Sequence, residues 1–174
     1  DITKRLIIKE QGRFLKFQGV KILIMIRLLE KDEPIPYDLL LLADETIASI
    51  DKYIHQSEIY VLEQDQAMIA VFALQPIDSD TTEIKNIAVD TAFQGQGIGQ
   101  RLLKEAINLA KEKGFKRLII GTGDAGIQQL YLYQKVGFEI YDIKHRFFID
   151  NFPEPIYENG IQLKHMIMLK KDLA

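Results

Sequence analysis

The segment IAVDTAFQGQGIGQRLLKEAINLAKEKG, residues 87–114, sets three glycines at alternate positions, Gly95, Gly97 and Gly99. A strand-like run precedes them. From Ile98 the apolar residues fall at Ile98, Leu102, Leu103, Ala106, Ile107 and Ala110, the spacing of a helix with one buried face, and Gly114 supplies its C-terminal cap. Small residues at such a strand-to-helix turn let the N–H groups of the helix start face an anion directly, where side chains would block the approach. The spacing excludes the two common nucleotide signatures. A dinucleotide fingerprint needs G-x-G-x-x-G, and the best phosphate-loop candidate, Gly121 to Gly126, is followed by Ile127 rather than lysine. A plain turn whose glycines supply positive φ is the competing explanation of the motif taken alone.

The flanking chain predicts a sheet and helices around this turn. MIRLLEK (25–31) reads as a strand, and Pro34 and Pro36 separate it from a leucine- and isoleucine-rich stretch with helical spacing, divisible into two short helices. EIYVLEQ (58–64) and AMIAVFALQP (67–76) form a hairpin, followed by TEIKNIAV (82–89). KRLIIGT (116–122) has the unbroken apolar run of a buried parallel strand, and IQQLYLYQKVG (127–137) makes a helix stopped at Gly137. FEIYDIKHRFFI (138–149) and IQLKHMIML (161–169) read as closing strands joined through an ENG turn. The order β-α-α-β-β-β-α-β-α-β-β defines an α/β chain with a mixed sheet flanked by helices.

Within β-strand 82–89 the pattern is inconsistent. Ile84 is apolar at an even position, Ile87 and Val89 at odd ones, which requires either a strand buried on both faces or a bulge that resets the register.

Charge and composition narrow the partners. Residues 1–24 carry a net +4, leaving −7 for residues 25–174 out of −3 overall. An acidic body argues against nucleic acid and suits a cationic ligand. No apolar run reaches the roughly 20 residues of a membrane span, so no membrane partner is expected. The chain has no cysteine, which removes disulfides, thiolate nucleophiles and zinc–thiolate sites and fits a cytoplasmic location. The three histidines, His55, His145 and His165, lack metal-ligand spacing, so no metal is expected. Residues 1–24 read as an extension of unassigned role, foreign to the domain or upstream of it, with a β-hairpin as the alternative; the domain proper is 25–174.

Q94-G-Q-G97-I-G99 resembles Q/R-x-x-G-x-G/A, the acetyl-CoA pyrophosphate loop of the GNAT superfamily of N-acyltransferases. EIKNIAVD before it and LYLYQKVGFEI after it are similar to GNAT segments in the same order, so the resemblance covers residues 25–174. It implies a GNAT-like acyl-CoA N-acyltransferase fold and acetyl-CoA as cosubstrate. Cofactor contacts are implied for Ile87, Ala88 and Val89 on the strand, and for Gln94, Gly95, Gln96, Gly97, Ile98, Gly99 and Gln100 on the turn. Asp124 joins this set as the nearest polar group where many members have asparagine and this chain has Gly126. Arg101 is a further side chain near the phosphates, with a solvated surface arginine as the alternative. The resemblance also implies a bulge opening a slot for pantetheine, with the Ile87 N–H as an oxyanion-type donor and Val89 bonding pantetheine through its main chain. A homodimer is compatible with it.

Transfer of an acetyl group to an amine needs a neutral nitrogen. A lysine-like amine has a pKa of about 10.4, so its neutral form is disfavoured at pH 7 by about 4–5 kcal/mol. A general base or water relay answers this need, and the resemblance implies Glu83 for it, with partial burial expected to raise its pKa. The alternative is an ordinary solvent-facing glutamate. Tyr133 aligns with the tyrosine that serves many GNAT enzymes as general acid towards the departing thiolate; a core aromatic is the alternative. Asp150, Glu154 and Tyr157, near the last turn, are candidate amine contacts. The function implied is acetyl transfer from acetyl-CoA to a primary amine by direct attack in a ternary complex, since no cysteine is present to carry the acyl group. A non-catalytic CoA-binding or regulatory domain is the alternative, and a module binding no cofactor is a third.

Overall fold

The computed structural model describes residues 14–17, 20–23 and 25–173, the first two stretches by backbone alone. They group into two compact units. The first runs through Ala73 and takes in Asn86–Ile98; the second comprises Leu74–Lys85 and Gly99–Ala174.

In the first unit, β1 (Phe14–Phe17) and β2 (Val20–Leu23) pair antiparallel as a separate two-stranded ribbon. This is the β-hairpin kept as an alternative for the extension; residues 1–13 lie outside the described part. β3 (Met25–Leu28) pairs antiparallel with β4 (Glu58–Gln64), Met25 opposite Glu63 and Leu28 opposite Tyr60. Between them lie α1 (Tyr37–Leu40) and α2 (Ile47–Asp51), the latter capped by Thr46, whose hydroxyl accepts from the Ser49 N–H at 3.1 Å. These two helices and a following single turn (Ile54–Gln56) pack Leu39, Leu40, Ile50, Tyr53 and Ile54 against Ile59, Val61, Val71, Ala73 and Ala88. β4 joins β5 (Ala67–Pro76) through Asp65 and Gln66, both at positive φ (51° and 68°), the type I′ geometry that suits strand twist. Ile69 to Leu74 of β5 are all buried, as expected of an interior strand covered on both faces.

β6 (Thr81–Val89) contributes its first half to the second unit and its second half to the first. The second unit continues with α3 (Ile98–Glu112), β7 (Arg117–Gly123), α4 (Ile127–Lys135), β8 (Glu139–Lys144), α5 (Phe147–Asn151), the short pair β9 (Tyr157–Glu158) and β10 (Ile161–Gln162), and β11 (Met166–Asp172). All six apolar residues read from the sequence as the inner face of α3 are buried, and Gly114 ends it at φ 84°. β7 runs parallel to β6, Thr81–Ile84 against Arg117–Ile120, and antiparallel to β11. The strand order β3-β4-β5-β6-β7-β11-β8 makes a mixed seven-stranded sheet.

Two expectations are corrected. The strand read over 138–149 ends at Lys144. Arg146 then adopts a left-handed conformation (φ 58°) and Phe147–Asn151 turn into α5, with Arg146 paired to Asp150 at 3.1 Å. The strand read over 161–169 is two pieces, because Asp124 holds the chain between them: its Oδ1 accepts the Lys164 N–H and its own N–H donates to the His165 carbonyl, both at 3.0 Å. For β6, where the sequence left a strand buried on both faces or a bulge as alternatives, Thr82, Glu83 and Ile84 are buried in succession, so its first half is covered on both faces; beyond it Asn86 and Ala88 are buried while Lys85, Ile87 and Val89 are half-buried. Asn86 is a polar side chain on the buried register.

Candidate active site

The glycine turn is shaped by its own backbone. Asp90 accepts from the Ala92 N–H at 2.8 Å and caps a single turn at Thr91–Phe93, and Gln94 Nε2 reaches back to donate to the Val89 carbonyl at 2.9 Å. Gly95 and Gly97 follow at φ 74° and 79°, a conformation that L side chains rarely adopt, with open space where their side chains would stand. Gln94, Gly95, Gln96 and Gly97 are exposed; Ile98 is buried and pins the first residue of α3. Gly99 and Gln100 are half-buried. A Cβ on Gly99 would lie 3.4 Å from Leu132 of α4, so this glycine sets a close helix–helix approach rather than a turn. The first turn of a 15-residue helix thus opens directly behind a bare backbone.

On β6, the ladder to β7 stops at Ile84 and Ile120, while β7 continues to Gly123 paired to β11 on its other side. Ala88 is buried in the core of the first unit, and the Val89 carbonyl is taken by Gln94. Asp90 continues the strand's hold on β5 through its N–H, which donates to the Ile69 carbonyl at 2.9 Å.

Glu83 is 7% exposed, so it is not a solvent-facing glutamate. Lys85 Nζ lies 3.2 Å from its Oε2. Its charge reaches Tyr141 on β8, whose pKa is raised by burial, by Asp142 and by Glu83. Tyr141 is the residue passed over where the β8–β11 register shifts, a bulge on β8.

Tyr133 is buried on the inner side of α4, its ring 6.3 Å from Phe138. Burial, aided by the charge of Glu158, raises its pKa and keeps it a phenol, a donor at neutral pH. Asp124 is committed to the backbone of Lys164 and His165, as described above. Gly126 has a steric reason to lack the side chain common in the resembled motif: a Cβ there would lie 2.5 Å from Thr122 Oγ1 and 3.1 Å from the Gly123 carbonyl oxygen.

Asp150 is paired to Arg146, and Glu154 and Tyr157 are exposed. His145 and His165 meet ring to ring at 5.2 Å, and His165 Nδ1 accepts the Arg146 N–H at 3.0 Å. No group of side chains suited to a metal ion occurs among the described residues. Nor is any described helix long and apolar enough to cross a membrane. Asn86 is a buried polar residue that the sequence reading passed over, hydrogen-bonded to Leu40 and Tyr53. Its signal was present as a polar residue on the even register of Thr82, Ile84 and Ala88.

A mixed sheet with an interior strand running into a glycine turn and a long helix has the layout of an acyl-CoA-dependent acyltransferase. Residues 23–138 match the family model described as Acetyltransferase (GNAT) family. An uncharacterised N-acetyltransferase of Bacillus subtilis (strain 168), YvbK, is 43% identical over 137 residues, 79% of this chain and 88% of that protein. A GNAT family acetyltransferase from Elizabethkingia anophelis, solved with acetyl-CoA bound, is 52% identical with a TM-score of 0.85, over 86% of this chain and 98% of that one. An IAA acetyltransferase from Bacillus cereus ATCC 14579 is 41% identical with a TM-score of 0.82, over 86% and 99%. The chain belongs to the GNAT family of acetyltransferases, and it is an enzyme of the acyltransferase class.

Proposed function

We propose that the protein transfers an acetyl group from acetyl-CoA to a primary amine, by direct attack within a ternary complex. The observation that carries this reading is the turn at Gly95 and Gly97, both at positive φ and open where a side chain would stand, leading into a 15-residue helix. Backbone N–H groups at such a helix start suit a pyrophosphate, each charge–dipole contact contributing roughly 0.3–1 kcal/mol. Gln94 to Gln100 hold the phosphates, and Ile87, Ala88 and Val89 hold the pantetheine arm through the strand backbone, with Ile87 N–H donating to the thioester oxygen as charge builds. Asp124 supports the turn before α4 from its backbone bonds rather than reaching outwards.

Glu83 accepts one proton of the ammonium, and the freed nitrogen lone pair forms the new C–N bond. As the C–S bond breaks, a second proton on that nitrogen passes to the departing sulfur, which leaves as the thiol of CoA while Tyr133 donates a hydrogen bond to it. The raised pKa of Tyr133 fits donation rather than full proton transfer. The cysteine-free chain offers no thiol to carry the acyl group between half-reactions. The same reading describes a cytoplasmic homodimer; absence of cysteine supports the first part, and the family resemblance alone supports the second.

Calorimetry with acetyl-CoA tests the donor: saturable binding at micromolar concentration is expected, and no binding at high micromolar concentration overturns the reading. Thiol release against a panel of amines then tests the reaction. A panel acetylated no faster than thioester hydrolysis overturns the catalytic assignment.

A further inference from the structure

Beyond Ile84 the strand β6 parts from β7, so residues 85–89 have β5 as their one neighbouring strand among the described residues. The Asp90 N–H donates to the Ile69 carbonyl of β5, whereas the Val89 carbonyl is taken by Gln94. The N–H and C=O of one strand residue share an edge, and successive residues alternate. Ile87 therefore shares the edge of Val89, turned away from β5. This is the stretch whose Ile87 N–H is proposed to meet the thioester oxygen, and the sheet grips it from one side.

Asn86, directly before Ile87, supplies a second grip from its buried side. It is 4% exposed. Its Nδ2 donates to the carbonyl oxygen of Leu40, the last residue of α1, at 3.0 Å and to the Tyr53 hydroxyl at 3.0 Å. A carbonyl only accepts, so the NH2 group of the amide is the one that faces Leu40. Neither partner depends on this donor. Leu40 also accepts from the Ala43 N–H at 3.1 Å, and the Tyr53 hydroxyl donates to Asp44 Oδ2 at 3.2 Å. Asn86 Oδ1, for its part, meets no donor among the described residues, which is a cost for a buried acceptor. Satisfying its neighbours therefore does not account for an asparagine here. What the amide adds is direction, since two hydrogen bonds fix one strand residue against both α1 and Tyr53. A local rule broken at a cost points to function.

We propose that Asn86 is a positioning residue of the transfer reaction: its amide holds the β6 backbone so that the Ile87 N–H meets the thioester oxygen as charge builds. This rests on the acetyltransferase reading above. In this role Asn86 touches neither acetyl-CoA nor the amine and acts through Ile87. A donor to an oxyanion is effective when it is held in place beforehand, and a displacement of about 1 Å can cost about 100-fold in rate. The glycine turn is built without Asn86, from the bonds of Asp90 and Gln94. Loss of the amide should therefore impair the chemistry and spare the hold on the phosphates.

The test compares the wild type with Asn86→Val and Tyr53→Phe, using acetyl-CoA labelled with carbon-13 at the thioester carbonyl and the amine acetylated fastest in the panel. Valine suits a strand and carries no amide. Bound to the wild type without amine, the labelled carbon should resonate downfield of free acetyl-CoA, the signature of a hydrogen bond to its oxygen. In Asn86→Val that shift should be largely lost and kcat should fall about 10–100-fold. The acetyl-CoA dissociation constant should stay within about threefold and the melting temperature within about 4 °C. Tyr53→Phe removes one of the two bonds and should move the carbonyl shift and kcat the same way by less. The double variant should fall no lower than Asn86→Val alone, because the two residues act as a unit. If the wild type acetylates an amine while both variants keep its carbonyl shift and kcat, the positioning role is refuted and the acetyltransferase reading stands. A lower melting temperature with kcat and the carbonyl shift unmoved assigns Asn86 to stability alone and likewise refutes it, as does a wild type that shows no downfield shift. If Asn86→Val does not fold, the comparison with Tyr53→Phe decides by itself. Should no amine be acetylated by the wild type, the acetyltransferase reading fails and this one with it.

Discussion

Lys85 Nζ lies 3.2 Å from Glu83 Oε2, two residues along one side of β6, with the glutamate side chain 9% exposed and the lysine 25%. Burying a carboxylate costs desolvation free energy, which a paired ammonium offsets in part. If Glu83 is the base, as proposed, Glu83→Gln keeps the shape and removes it, so kcat should fall roughly 10²–10⁴-fold, while calorimetry should show unchanged affinity for acetyl-CoA. Lys85→Met strips the carboxylate of its cation. Because the ammonium is partly solvated, its loss should cost about 1–2 kcal/mol, below the range for fully buried pairs, read as a lower urea midpoint. Full activity in Glu83→Gln would remove Glu83 from the reaction.

Tyr133→Phe separates the hydroxyl from the ring. The contact with Phe138 is retained, so the melting temperature at pH 7 should stay within a degree or two, while kcat falls about 10–100-fold. The pH dependence has a definite sign. Burial raises the pKa of Tyr133 above its unfolded value, so its contribution is fully present below about pH 10, the ordinary tyrosine value, and is lost as pH rises beyond it. Wild-type stability should therefore decline above pH 10 more steeply than that of Tyr133→Phe, measured by urea unfolding at pH 8 and pH 11. Parallel profiles would place the Tyr133 hydroxyl in water.

Long one-sided patterns were legible in the sequence because they depend on local spacing alone. The inner face of α3 needed only its six apolar positions, and β4 and β5 needed their β-branched runs and the two residues between them. Residues 138–149 were not legible in this way. The run of Ile, His, Arg and Phe has strand-like composition, yet Arg146 turns left-handed and its carbonyl accepts the Asp150 N–H, so a tertiary arrangement overrides propensity. The break at Lys164 and His165 was hidden for a related reason, since its cause, Asp124, lies 40 residues away in sequence. The positive-φ turn at Gly95 and Gly97 announced itself by spacing. Asn86 did not, because its meaning depends on Leu40 and Tyr53, which only folding brings to it.

Gly97 and Gly114 provide a matched pair for testing the turn. Both sit at positive φ, 79° and 84°, and neither would bring a Cβ within 4 Å of another residue. Substitution at either strains the backbone by about 1–3 kcal/mol without a clash. If the turn holds the phosphates, as proposed, Gly97→Trp should in addition fill their space and abolish acetyl-CoA binding by calorimetry. Gly114→Ala should lower the melting temperature and bind acetyl-CoA as the wild type does. Equal affinities in the two variants would show that the turn does not hold the cofactor.

Gly126 and Thr122 make a steric pair. A Cβ at Gly126 falls 2.5 Å from Thr122 Oγ1, too close for any rotamer adjustment of the new side chain to relieve, and 3.1 Å from the backbone oxygen of Gly123. Gly126→Ala should therefore destabilise the protein by about 1–3 kcal/mol, the usual cost of overpacking. Thr122 is itself buried, so Thr122→Ala alone is destabilising, yet it deletes the oxygen that the new methyl group meets. The two substitutions together should cost less than the sum of their separate effects by about 0.5–2 kcal/mol, the range for residues in direct contact. Some penalty should persist, because the Gly123 carbonyl belongs to the backbone and cannot be trimmed. Urea unfolding of the two single variants and the double variant measures the coupling. Additive costs would mean that Thr122 is not what keeps position 126 a glycine.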